Sequence, residues 1–170
     1  LMSIDTHWFS TLYGWYVFAG FWGSAMIVSI MLTLYLKGKG HMKQVNDSHI
    51  HDLGKWMFAL SFLWSYLWFS QFMLIWYSDI PEEVTYYTTR IKDFKIPFFV
   101  MFFINFALPM LLLMSRDAKR NRKYLIGVGL IIFFGHFLDV YLLIVPGAVH
   151  HWYFSWMEIG IFLGFVGLFT

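Results

Sequence analysis

Residues 124–145 read YLIGVGLIIFFGHFLDVYLLIV. A hydrocarbon core about 30 Å thick needs roughly 20 helical residues, and in lipid every backbone polar group must find its partner inside the segment. A stretch this long and apolar is therefore expected to be a membrane-spanning helix. Two residues break its apolar character, His136 and Asp139, spaced i and i+3 on one helical face. Counted from Tyr124, His136 lies roughly 18 Å and Asp139 roughly 22 Å along the helix, at and just beyond the midplane. Ionisable groups at that depth are costly to insert, usually face the bundle interior, and mark ion, proton or ligand pathways. The plainer alternative is interhelical hydrogen-bond glue.

The flanking sequence has the same character. Of 170 residues, 59% are hydrophobic, 23% aromatic and 13% charged, against about 25% charged in an ordinary soluble domain. Four more apolar stretches run from Trp8 to Leu36, Trp56 to Ser78, Ile96 to Met114 and Trp152 to Thr170. The expected fold is all-α: a polytopic transmembrane bundle of five helices in a single domain over 1–170. The first stretch would be roughly 43 Å long and must tilt or project. The last stops in an apolar run without a cap, which reads as a piece of a longer subunit, incomplete at its C-terminal end.

Charge adds topology. The net charge is only +2, and no basic, aromatic-interleaved surface remains for nucleic acid. The connection with Lys37, Lys39, Lys43 and Lys55 and that with Arg116, Lys119, Arg120, Arg122 and Lys123 hold nine of the twelve cations, so both are expected on the cytoplasmic side. The loop from Asp79 to Lys95, the segment Pro146 to His151, and the N-terminus then face outward. Trp8, Trp76, Tyr77, Trp152 and Tyr153 fall at the outer aromatic belt, Trp56 and Tyr124 at the inner one. Leu1 to His7 carries no cation and no cleavage site, so it is not read as a signal peptide. Gly127, Gly129, Gly160, Gly164 and Gly167 are small residues of the kind that lets helices approach closely.

Several residues are candidates for chemistry. Glu158, roughly 9 Å below Trp152, shares the depth of Asp139. Two carboxylates at one depth in low dielectric favour proton handling over a static ion pair, since no Lys or Arg is expected at that depth. A Glu158 facing the headgroups is the alternative. Pro109 lacks an N–H and crowds the Asn105 carbonyl four residues back, so a kink should expose that carbonyl beside the Asn105 amide. Gln71, Ser61 and Ser65 add polarity that suits interhelical hydrogen bonding, and Asn105 and Gln71 are weaker candidates for contacting a bound cofactor. No metal site is expected: His49, His51 and Asp52 read as capping at a helix start. The absence of Cys excludes iron–sulfur ligation by thiolate, covalent c-type haem and disulfides on this chain. Bis-His haem is improbable, because only His136 is intramembrane while His7, His150 and His151 lie at one surface and His41, His49 and His51 at the other.

A carboxylate and an imidazole in the outer half of an aromatic bundle suit quinol oxidation, since a quinol is a flat apolar ring whose two hydroxyls need proton acceptors. Trp64, Trp68, Phe69 and Phe72 could wall such a ring. The stretches HWFSTLYGWYVFAG (7–20) and HDLGKWMFALSFLWSYLWFSQFMLIWYSDIPEE (51–83) resemble the NrfD/polysulfide-reductase-like integral membrane component of bacterial alternative complex III, a quinol:cytochrome c oxidoreductase, and the resemblance extends over the chain. It implies a multi-pass protein of the bacterial inner membrane with a four-helix-bundle core and no cofactor of its own. It also implies menaquinol as donor, multi-haem c and iron–sulfur partner subunits, a related integral membrane subunit, and a terminal oxidase as a further candidate partner. Members carry more than five helices, and the related subunit holds the better-supported quinol site. Proton translocation or scaffolding thus stands beside quinol contact as the role of this chain, and His136, Asp139 and Glu158 fit the first and the last. Outside this family, a secondary transporter would also carry mid-membrane ionisable groups, but the chain lacks the repeat symmetry that class usually displays.

Overall fold

The computed structural model describes residues 2–5, 8–116, 119–149 and 156–169. Among them there are helices and no strands: a short 3-10 turn at Met2–Ile4, then α1 (Tyr13–Gly38), α2 (Asp47–Ser78), α3 (Pro81–Asp93), α4 (Lys95–Leu112), α5 (Arg122–Val149) and α6 (Trp156–Phe169). Four of these, α1, α2, α4 and α5, are long and apolar enough to cross a membrane, so the chain is a multi-pass integral membrane protein. They pack as one bundle, with α1 against α2 and α5 against α1 and α4. In α6 the apolar segment Ile159–Leu168 is shorter than a span. It touches α5 where Phe162 meets Phe137, ring centroids 5.6 Å apart. Gly160 and Gly164 face open space rather than a neighbouring helix, whereas Gly129 lies against Ile27 and Met57.

The boundaries follow polar chemistry that hydropathy does not register. α2 begins nine residues before Trp56, because Asn46 accepts hydrogen bonds from the Ser48 and His49 N–H groups while His49 Nδ1 accepts the Asn46 N–H, a reciprocal capping box. His49 is thus a capping residue. α1 begins at Tyr13, and Trp8 is not at a lipid belt: it is buried, stacked on Tyr86 at 3.9 Å. Trp76 and Tyr77 are exposed, as a belt requires.

The segment expected as an outer loop forms α3 instead. Pro81 occupies its first turn with Glu82 and Glu83, and Arg90 and Lys92 close its last, so both ends complement the helix dipole. Tyr86, Tyr87 and Arg90 line its buried face. Asp79 stops α2 in the left-handed region at φ 48°, a conformation Asp tolerates.

Two prolines inside helices leave two carbonyls without their usual donors. Before Pro109 the chain loosens into a π-turn, Phe103–Ala107, where the Leu108 N–H reaches back to the Phe103 carbonyl. The freed Asn105 carbonyl lies 3.4 Å from Ser65 Oγ, which also donates to the Ser61 carbonyl at 2.7 Å. Ser61 itself bonds within α2, to Met57, and not across helices. Pro146 is carried inside α5, which continues to Val149 rather than ending at a loop. Its freed carbonyl, that of Leu142, accepts Arg90 Nε at 3.1 Å.

The interior divides in two. Around Asp139 the core is aromatic, with Tyr13, Tyr16, Trp64, Trp68, Tyr87 and Phe98. Toward the lysine-rich end it is aliphatic, with Ile27, Ile30, Ile50, Met57, Leu125 and Ile132. At that end Asp47 joins three helices, pairing with Lys37 of α1 at 3.4 Å and Arg122 of α5 at 2.8 Å. These pairs are exposed and contribute little to stability.

Candidate functional site

Asp139 is the centre of the aromatic half. It is 5% exposed, and each carboxylate oxygen has its own donor from another helix: Tyr16 of α1 donates its hydroxyl to Oδ1, and Trp64 of α2 donates Nε1–H to Oδ2 at 3.2 Å. A buried carboxylate needs such donors, because an unsatisfied one costs several kcal/mol of lost solvation. Phenol and indole satisfy it without adding a charge, so the site can gain or lose a proton without breaking an ion pair.

His136, one turn away and 6% exposed, stays outside that clamp. Its ring stands edge-on to Trp64 at 5.7 Å, and its Nδ1 meets no hydrogen-bond partner among the described residues. α1 makes room with a glycine, since a Cβ at Gly23 would stand 3.2 Å from His136 Nε2. Both residues open on one half-open cavity of about 280 Å³ between α1 and α5, walled by Val17, Phe21, Phe133, Phe137 and Phe162. Phe133, Phe137 and Phe162 also line an adjoining apolar groove of about 440 Å³ between α5 and α6. The site is thus a polar floor of two titratable groups beneath aromatic walls that continue into a hydrocarbon-lined slot. Such a shape suits an amphiphile with a small ring and a long tail.

The walls are not those expected on α2. Trp64, Trp68, Phe72 and Trp76 stack upon one another along that helix at 5.6–6.4 Å, and Phe69 points outward. Their spacing of four residues puts them in one stripe, whose Trp64 and Trp68 are core, with Phe72 packed against it and Trp76 exposed at the end. Gln71 is buried beside α3 and donates to the Tyr87 hydroxyl at 3.4 Å, away from the ring cavity. Asn105 is 1% exposed, and its side-chain amide has no partner among the described residues. It presses against Gly135, where any Cβ would overlap it. Glu158 belongs to α6 by its backbone, and its side chain lies outside the described residues, as do His7, His150, His151, Trp152 and Tyr153. Among the described residues, no group of His, Asp and Glu is arranged to hold a metal.

A cation does come close to the depth of Asp139, contrary to the expectation that none would. Arg90 is 2% exposed, and each of its three nitrogens donates a hydrogen bond: Nε to the Leu142 carbonyl, Nη1 to the Tyr86 carbonyl at 3.0 Å, Nη2 to Asp5 Oδ2 at 2.9 Å. Its guanidinium also lies 3.4 Å from the Tyr86 ring centre, with Trp8 stacked on that ring as well. Burial pushes the Tyr86 and Tyr87 phenols well above their ordinary value, outweighing the Gln71 hydrogen bond on Tyr87 and the pull of Arg90 on both, so both keep their protons. Since Leu142 is three residues from Asp139, Arg90 sits about one helical turn beyond it. Sequence reasoning passed over Tyr16, Arg90 and Asp5, and it read Trp64 as a ring wall rather than as a donor to Asp139. Pro146 was the available signal for Arg90, because a proline in a buried helix frees a carbonyl that some donor must satisfy.

No family model matches this chain, and no curated protein matches it either. What fold and site define is a class: a multi-pass helical membrane protein with a buried, neutral-donor-clamped carboxylate.

Proposed function

We propose that this chain is an integral membrane subunit of a respiratory quinol:cytochrome c oxidoreductase of the bacterial inner membrane, in which Asp139 and His136 meet the quinol ring and take its protons. The observation that carries the reading is the cavity that has Asp139 and His136 on its floor and runs into the slot beside α6. At about 280 Å³ it lies near the small end of ligand cavities, roughly 300–1,000 Å³. That volume suits a ring head, leaving an isoprenoid tail for the slot. The resemblance of 7–20 and 51–83 to the membrane component of alternative complex III points the same way. Haem c and iron–sulfur partner subunits would take the electrons, because residues 1–170 contain no Cys to ligate a cluster by thiolate or to attach haem c through thioether bonds. The positive-inside rule puts the Arg90 end and the ring cavity toward the periplasm.

In this role Asp139 is the first proton acceptor, with Tyr16 and Trp64 fixing its oxygens so that one lone pair of each stays available to the ring hydroxyl. His136, which lines the same cavity, is the second acceptor. The test is made in native membranes or on the purified assembly. Asp139→Asn keeps the shape and both donors' positions but removes the acceptor, so quinol-driven reduction of cytochrome c is expected to fall by about a hundredfold or more, the range of a lost general base. The assembly should still purify with haem c absorbance. Turnover equal to the parent, or a chain that purifies alone without haem c, overturns the reading.

A further inference from the structure

We propose that the proton taken up by Asp139 leaves by a second route, through one water held by Gln71 and Tyr87, to a polar vestibule where Asp5 receives it and the Asp5–Arg90 pair acts as gate. The inference rests on the role given to Asp139 above and adds the path by which that residue is reset.

Asp139 lines two cavities. Away from the ring cavity it borders a pocket of about 10 Å³ shared with Tyr16, Gln71, Tyr87 and Arg90. That is the volume one water needs, and a water also needs two or more polar partners. Gln71 Oε1 is buried there, with no partner among the described residues, beside the Tyr87 hydroxyl. Arg90 and Tyr86 form the far wall of this pocket and also the near wall of a third cavity, about 370 Å³, bordered by Asp5, Glu82, Thr85 and Thr89. Ring cavity, one-water pocket and vestibule therefore adjoin one another, with Asp139 in the wall between the first two and Arg90 and Tyr86 in the wall between the last two. The Tyr13 hydroxyl, buried without a partner among the described residues, stands in the field of Asp139, Arg90 and Asp5 together.

The steps balance as proton transfers alone. Asp139 gives its proton to the trapped water, which passes one of its own protons on, and the Asp5 carboxylate accepts it and releases it to bulk water. Arg90 is never a carrier, because a guanidinium does not deprotonate in a protein. Its charge instead opposes a proton in transit unless Asp5 compensates it, so the pair disfavours back-flow. Protonation of Asp5 loosens its bond to Nη2, while Arg90 stays anchored to the Leu142 and Tyr86 carbonyls.

The experiment is proton release to the outer medium, followed with a pH dye after a quinol pulse to the whole assembly in proteoliposomes, alongside cytochrome c reduction. Gln71→Leu removes the water's acceptor and is expected to slow proton release about tenfold, the rate equivalent of one hydrogen bond, with the KM for quinol unchanged and the rate restored in Gln71→Glu. Asp5→Asn should slow release similarly. Parent-like release in both variants, while Asp139→Asn abolishes turnover, overturns the exit route and leaves the ring site standing. An Asp139→Asn with parent turnover overturns both. A high-resolution map of the assembly with the Gln71–Tyr87 pocket empty overturns the route independently of how any variant folds.

Discussion

The two halves of the bundle share its four spanning helices, but the half around Asp139 adds α3, and they differ in the polar groups they bury. In the half around Asp139, buried phenols, indoles, an amide and a guanidinium supply donors at every step, and three cavities follow one another. In the half toward the lysine-rich end, Ile27, Ile30, Ile50, Leu125 and Ile132 pack without a buried side-chain donor among them. Aromatic residues bury as much surface as aliphatic ones but bring polar edges with them. The difference teaches that this core is divided into an aromatic layer rich in polar edges, the conducting one under the proposed route, and a dry aliphatic seal.

Three substitutions test that division, beginning with the largest expected effect on stability. Ile132 is fully buried in the seal. Ile132→Ala should destabilise the chain by about 3 kcal/mol through the cavity it leaves, lowering the thermal midpoint in detergent while turnover per folded complex stays at the parent value. Reduced turnover with an unchanged midpoint would mean that the seal takes part in chemistry. At the junction of α4 and α5, Gly135→Ala drives a methyl into Asn105. About 2 kcal/mol of overpacking is expected, readable as a lower midpoint, and a parent midpoint would show that the approach of these helices is not tight. In the conducting half, Trp64→Phe deletes one donor to Asp139 and keeps most of the ring. The stability loss should be only about 1 kcal/mol, yet the pH profile of turnover should move, because a carboxylate stabilised by one donor fewer holds its proton more firmly. An unmoved profile would reduce Trp64 to packing.

The spans were legible because lipid imposes a single rule, long apolar runs, and α1, α2, α4 and α5 obey it. α3 escaped because the segment between Ser78 and Lys95 is short and mixed in charge, although Pro81, the paired glutamates and the terminal Arg90 and Lys92 are helix-end signals in their own right. His136 and Asp139 could be singled out because an ionisable residue is conspicuous in a spanning run. Their surroundings could not. Tyr16 and Trp64 look like any other aromatics in a chain that is 23% aromatic, and only three-dimensional packing decides which hydroxyl or N–H finds the carboxylate. For the same reason the ring walls fell to Phe21, Phe133, Phe137 and Phe162 and not to the α2 stripe.

The buried residues Met101, Asn105, Pro109 and Leu113 follow one another at strict intervals of four. On a regular helix each such step overshoots a full revolution by roughly 40°, so the stripe should wander out of the bundle within three steps. The underwound turn at Phe103–Ala107 absorbs part of that excess and keeps the line straight. The helix therefore carries, in effect, one surplus residue that serves as a phase corrector. Winding the same residues as a regular helix would rotate everything beyond the turn by about 100°, turning Pro109 and Leu113 away from their neighbours with the hydropathy profile unchanged, whereas deleting one residue there would restore regular winding and leave both on their present face.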